Sequence, residues 1–406
     1  MSAYVSSFPR RPGFLDRFMV IVPLFMLGRV HEAFPILWPL RLVLITSLVL
    51  LMVTLFNGGL KANRLKLLWY STTFRWFSAL LCLMLFSVVF SIWPSKSLYY
   101  FADFFQYFTI LLLALNCQIN QREDFRFCIT GIVLTIFIMG GICFITPQYT
   151  DGRVHGNLSF DPNDTALFII MTIMLVLPSM SYIKTLYKML LCMLTLMGVG
   201  VLVLTESRGG LIALVVTIAA WGLSGGFKGI LKVAVFAFFG LTLLLILFPT
   251  ERFERFSTIF DLKEDYNVTA KHGRIDVWKN GFKIFQDNWI VGTGVATFAT
   301  AEGQVNEGGK WSSAHNSFLQ IAVELGLPGF LVFVGMLFSA YRWAKPRDEA
   351  DWFSKGIRLA LICFCVGGMF LSWGYHWVLY FILSIAMIRE RVLALEDLTL
   401  QGQTPS

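Results

Sequence analysis

Apolar runs of about 18 or more residues recur along most of this 406-residue chain, about the length a helix needs to cross a bilayer core. Inside lipid every backbone N–H and C=O must bond within the protein, so such runs span as helices. Only 14% of the residues are charged and 56% are hydrophobic, against a charged share of about a quarter in soluble domains. The chain therefore reads as an all-α polytopic membrane protein. Twelve spans fit, roughly 17–30, 36–56, 74–93, 98–116, 127–146, 164–182, 189–205, 209–224, 230–248, 314–341, 357–373 and 376–390.

The net charge of +8 does not point to nucleic acid, because the basic residues sit in short inter-helix loops, where they set orientation. One side collects 20 Lys and Arg, among them Arg10, Arg11, Arg17, the Arg342–Arg358 cluster, Arg389 and Arg391. The short loops of the other side hold Arg29, Lys96, Arg153 and Arg208. Both termini are therefore expected in the cytoplasm, with the 249–313 loop outside. The expected organisation is nine spans over 1–248, a loop with an amphipathic helix over 249–313, a broken helix and the last spans over 314–390, and a cytoplasmic tail over 391–406. The sequence 1–17 leads into apolar sequence without a small-residue cleavage site, so no cleaved signal is expected. The seven cysteines lie in or beside apolar spans, so neither disulfides nor a metal site at Cys363-x-Cys365 is expected.

The segment 314–341 would reach about 40 Å as one helix, against about 30 Å of hydrocarbon. Gly326 and Pro328 resolve the excess: glycine ends one helix and proline starts the next. A short outer helix over 314–325 and a crossing helix over 328–341 follow.

Four outer-face stretches carry the distinctive polar residues. In 151–168, a Gly-rich turn leads to a helix that Asn163 or Asp164 would cap, with Arg153 and His155 available for function. In LTESRGGL, Ser207 is placed to cap a helix whose first turn holds Arg208, Gly209 and Gly210. Helix N-termini bind anions, glycine allows close approach, and arginine offers a bidentate fork to phosphate. In 271–289, Ile275, Trp278, Phe282 and Phe285 recur at helical spacing, as in a helix lying on a membrane surface, and Arg274 stands at its start. In KWSSAHNSF, Ser312 or Ser313 would cap a helix with His315 in its first turn. A helix N-terminus favours a neutral imidazole, which suits a general base. Asn316, Gln320 and Glu324 follow as a polar stripe that should face a cavity or a partner. Each stretch also has a plain structural reading as a cap, a turn or an interfacial anchor. Two arginines and a histidine beside helix N-termini on one face together suit a lipid-linked pyrophosphate.

At these residues the sequence resembles the O-antigen ligase/polymerase family of bacterial inner-membrane glycosyltransferases. The matching elements are Ser207-Arg208-Gly209-Gly210, Gly273-Arg274 with Trp278, and His315-Asn316-Ser317 with Glu324-x-Gly326 and Pro328-Gly329. The 151–164 stretch is also similar, and the resemblance covers roughly residues 150–345. It implies a twelve-helix, GT-C-like fold with a periplasmic active site and an undecaprenyl-pyrophosphate-linked glycan as donor. The moderate loop and the absence of a C-terminal periplasmic domain look most like a ligase, with lipid A–core oligosaccharide as acceptor. A polymerase or a protein O-oligosaccharyltransferase is the alternative within the family.

On this reading Arg208 and Arg274 hold the pyrophosphate and His315 takes the acceptor proton. Gly209, Gly210, Asn316, Arg153, His155 and Trp278 complete the substrate site. No metal or cofactor is expected: the outer face has no paired-Asp motif, and Asp261, Glu264 and Asp265 read as solvated charge. A glycan transporter is the alternative from another class, but Arg41 and Asp103 form no midplane chain of ionisable residues.

Overall fold

The computed structural model describes residues 14–121, 124–247, 256, 273–306, 311–348 and 351–401. Its helices are α1 (Phe14–Val22), α2 (Leu42–Phe56), α3 (Ala62–Leu68), α4 (Thr72–Val89), α5 (Pro94–Gln118) and α6 (Phe125–Ile145). After a two-stranded hairpin, β1 (Gln148–Thr150) and β2 (Arg153–His155), come α7 (Pro162–Val176), α8 (Thr185–Thr205), α9 (Arg208–Ser224) and α10 (Gly226–Leu247). The last are α11 (Arg274–Asp287), α12 (Phe298–Val305), α13 (Ser317–Trp343), α14 (Trp352–Gly367) and α15 (Trp377–Leu400).

Each of the twelve expected spans coincides with a helix. Among the described residues, seven helical segments are long and apolar enough to cross a membrane: Pro35–Phe56, α4, α5, α6, Pro162–Ser181, α8 and α13. The helical stretch Arg17–Leu27 and α9 are apolar but shorter. α14 has 16 residues, and α15 carries Arg389, Glu390 and Arg391 in its second half. Most of the expected 249–313 loop before Gly273, including Asp261, Glu264 and Asp265, lies outside the described residues.

α7 is the centre of the bundle. Every residue from Thr165 to Ser179 is buried, as expected for a helix apolar all round. Close neighbours need small residues: a Cβ on Gly198 of α8 would lie 2.1 Å from Ile173, and one on Gly356 of α14 would lie 1.9 Å from the Leu175 carbonyl oxygen. α13 packs along α4, and α15 packs against α5 through Phe104, Phe108 and Tyr380.

The charges at the far end of α15 tie helix ends together. Glu390 accepts from Ser71 Oγ at 2.7 Å and from the Thr72 and Thr73 amides, and so caps α4 from outside. Arg389 pairs with Asp351 at 2.8 Å, with both side chains buried. Arg391 donates to Asn116 O at 2.8 Å and to Ile119 O. Arg389 and Arg391, counted with the cytoplasmic loop charges, are thus buried inside a helix that runs on to Leu400, past the expected start of the tail at 391.

The break in α13 falls where proline and glycine placed it. Gly326 has φ 67° and ψ −170° inside an otherwise helical run. The Leu327 N–H turns outward to donate to Trp289 O at 2.7 Å. The segment 289–297 fills the kink, its Thr293 and Gly294 amides donating to Val323 O and Glu324 O.

Candidate active site

The site grows from the N-terminus of α9. Glu206 takes left-handed backbone (φ 49°) and ends α8, and Ser207 then caps α9 as expected, its Oγ accepting the Gly210 amide at 3.2 Å. The remaining first-turn N–H groups lie outside the helical ladder. Packing is what requires the glycine pair. A Cβ on Gly209 would sit 3.1 Å from Phe370, and one on Gly210 would sit 2.9 Å from Ala166.

Arg274 is the first residue of α11, with Gly273 as its N-cap. It lines one small cavity together with Ser207, Gly209, Gly210, Asn163 and Phe370. Distant parts of the sequence thus meet at one place, the N-termini of α9 and α11. Arg208 begins the same first turn of α9 and is half-buried.

His315 is not in a helical turn. The expected cap at Ser312 or Ser313 is replaced by Asn316, whose Oδ1 accepts the Phe318 and Leu319 amides at 3.0 and 3.1 Å. His315 precedes that cap in left-handed backbone (φ 44°), with its Nε2 3.2 Å from Ser313 Oγ. A non-glycine residue rarely holds φ > 0, and such positions cluster at functional sites. The preceding residue is held by Trp278, whose Nε1–H donates to Ala314 O at 3.0 Å.

The loop between α14 and α15, which sequence reasoning treated only as the end of a span, joins these pieces. His315 N donates to Ser372 Oγ at 2.9 Å, and Ser317 Oγ donates to Leu371 O at 2.7 Å. Trp373 donates from its amide to Ser317 Oγ and from Nε1 to Asp164 Oδ1 at 2.7 Å. Phe370 and Leu371 of the same loop line the Arg274 cavity. One loop therefore both bonds His315 and lines the cavity that Arg274 shares with α9. The signal in FLSWGYHW was its Ser, Trp and Gly between two apolar runs.

Arg153 and His155 do not line that cavity. The Asp151–Gly152 turn of the hairpin, both residues at φ > 0, places them. Arg153 Nε donates to Thr205 O, a carbonyl at the end of α8, and its Nη2 donates to Asn163 Oδ1, each at 2.8 Å. It thereby positions Asn163, which does line the cavity. His155 Nδ1 donates to Asn157 O at 2.8 Å, and its Nε2 meets Thr150 Oγ1 at 3.2 Å. The α7 cap is Asp161 rather than Asn163 or Asp164, with Asp164 completing a capping box. The polar stripe of α13 meets partners: Gln320 accepts from the Gly374 amide, and Glu324 accepts from Ala296 and Phe298.

α11 packs on the protein through a side other than its apolar stripe, which leaves part of that stripe open as a surface-lying helix requires. Val277, Gly281 and Ile284 are its buried residues, whereas Ile275 and Phe282 are exposed. Gly281 allows the contact, since a Cβ there would meet Leu319 at 2.9 Å and Phe298 at 3.1 Å.

A family model described as O-antigen ligase matches residues 190–334. Over that stretch, about a third of its length, the chain is similar to O-antigen ligases. No curated protein matches the chain. The matched stretch runs from within α8 into α13 and contains Arg208, Gly209, Gly210, Arg274, Trp278, His315 and Asn316. Arg153, His155 and the Phe370–Trp373 loop lie outside it; Arg153 reaches into it through Thr205 O, and the loop through Ser317 and His315.

Proposed function

We propose that this chain acts as an O-antigen ligase, transferring a glycan from undecaprenyl pyrophosphate to a sugar hydroxyl of lipid A–core at the periplasmic face of the inner membrane. The observation that carries this reading is the single cavity shared by Arg274 and the α9 N-terminus, next to the loop that anchors His315. Arg274, Arg208 and the first-turn amides of α9 hold the pyrophosphate and stabilise the charge that grows on it. His315 takes the acceptor hydroxyl proton. The acceptor oxygen bonds to the anomeric carbon as the bond from that carbon to the phosphate oxygen breaks, and undecaprenyl pyrophosphate leaves. Attack opposite the leaving group inverts the anomeric configuration.

Gly209 and Gly210 line the donor site by virtue of their packing role, and Trp278 and Asn316 set the backbone around His315. Arg153 acts through Asn163, and His155 holds the hairpin that carries Arg153. The excess of basic residues on one side supports a periplasmic site with cytoplasmic termini.

The test is incubation of the purified protein with undecaprenyl-pyrophosphate glycan and rough lipopolysaccharide. A lipopolysaccharide band shifted on a gel is the expected result. A lengthened polyprenyl glycan would make the enzyme a polymerase. Movement of the glycolipid across liposomes without a new glycosidic bond would make the chain a transporter.

A further inference from the structure

A second, larger cavity of about 740 Å³ opens between α2, α5 and the segment from Arg29 to Arg41, within the size range of small-molecule sites. Three polar atoms among its lining residues are buried without a partner: Arg29 Nε, His31 Nδ1 and Glu32 Oε2. His31 as a whole is only 6% exposed. Orphaned buried polar atoms cost free energy unless a ligand or water completes them. The segment begins and ends on strained residues, Arg29 at φ 46° and Arg41 at φ 45°. Asp103, a carboxylate on a membrane-spanning helix, is exposed and lines the same space.

The chemistry of the lining selects the ligand. Arg29 pairs with Glu32 at 3.3 Å, and with Arg41 and Asp103 they give the lining two cations and two carboxylates. Vicinal hydroxyls both donate and accept and match such a balanced lining, whereas a free phosphate would bring an uncompensated charge to it. Trp38 is 43% exposed and is fixed by its Nε1–H bond to Glu32 O at 3.0 Å, which leaves a flat aromatic face for the C–H side of a sugar ring. The loop that lines the Arg274 cavity with Phe370 and Leu371 reaches this one with Tyr375.

We propose that this cavity is a carbohydrate-binding subsite that holds an uncharged sugar of the transferred or receiving glycan. The proposal rests on the glycan-transfer reading, and its test needs binding alone. The full-length protein in nanodiscs is titrated calorimetrically with two probes, delipidated core oligosaccharide from rough lipopolysaccharide and delipidated O-antigen polysaccharide. At least one should bind, and His31→Ala and Asp103→Asn should each weaken it about tenfold or more. Trp38→Phe should retain binding that Trp38→Ala loses, and Arg274→Ala should leave it unchanged. Core binding assigns the cavity to the acceptor, polysaccharide binding to the donor, and binding of both to a sugar site they share. No binding of either probe, equal binding in all variants, or loss in Arg274→Ala would overturn the proposal. Intact binding in a preparation that forms no glycosidic bond would sink the transfer reading and leave the sugar site standing.

Discussion

Glu324 lies in a membrane-spanning helix at 1% exposure, and its carboxylate accepts the Ala296 amide at 2.8 Å and the Phe298 amide at 2.9 Å. It thus caps α12 from another helix, as Glu390 caps α4. Glu324→Ala would strand two buried N–H groups, and thermal unfolding in detergent should show a loss of about 1–3 kcal/mol, with Glu324→Gln losing less. Asp351 lies outside the spanning segments. Burial alone would raise its carboxyl, but the Arg389 guanidinium prevails and holds it below the ordinary value of 3.8. A depressed carboxyl stabilises the fold above its ordinary value, and that stability fades as pH falls through it. Asp351→Asn should therefore remove part of the acid-side loss below about pH 3.8 and cost about 3–5 kcal/mol, since Arg389 stays buried and charged. Ser207 was legible as a cap because a cap-forming serine stood one residue before the glycine pair that opens an apolar run. Asn316 was not, because Ser312, Ser313 and Asn316 all suit a cap, and the choice depends on Ser372 in a distant loop.

Proline and glycine made the break in α13 readable, because their backbone preferences are local. Gly326→Ala should be severe: φ 67° with ψ −170° is nearly glycine-only, and a Cβ would lie 2.7 Å from Trp289 O. A sharp fall in melting temperature and folded yield is expected, and a melting curve like the wild type would contradict the geometry. The face of α11 was less readable. Its periodicity shows an apolar stripe, but not that small Gly281 selects the other side for contact with α12 and α13. Gly281→Leu should accordingly destabilise more than Phe282→Ala, as unfolding midpoints would show. The 368–376 loop escaped notice because its role consists of contacts to α7, α9 and α13, which no local pattern encodes.

At the scale of the molecule, the helical segments followed from apolar runs, which depend on the bilayer rather than on tertiary contact, and loop charge predicts cytoplasmic termini. Impermeant maleimide should label a cysteine at Ser159 in whole spheroplasts and one at Arg347 only after lysis; the reverse pattern would invert the topology. How the helices converge was beyond the sequence, because the meeting of α9, α11 and the α14–α15 loop depends on packing around α7. The most direct test of the central claim is the rate of glycan transfer by purified His315→Ala, measured beside its binding of undecaprenyl-pyrophosphate glycan. Removal of a general base should lower transfer about 10²–10⁴-fold while donor binding persists. Transfer near the wild-type rate would contradict the account.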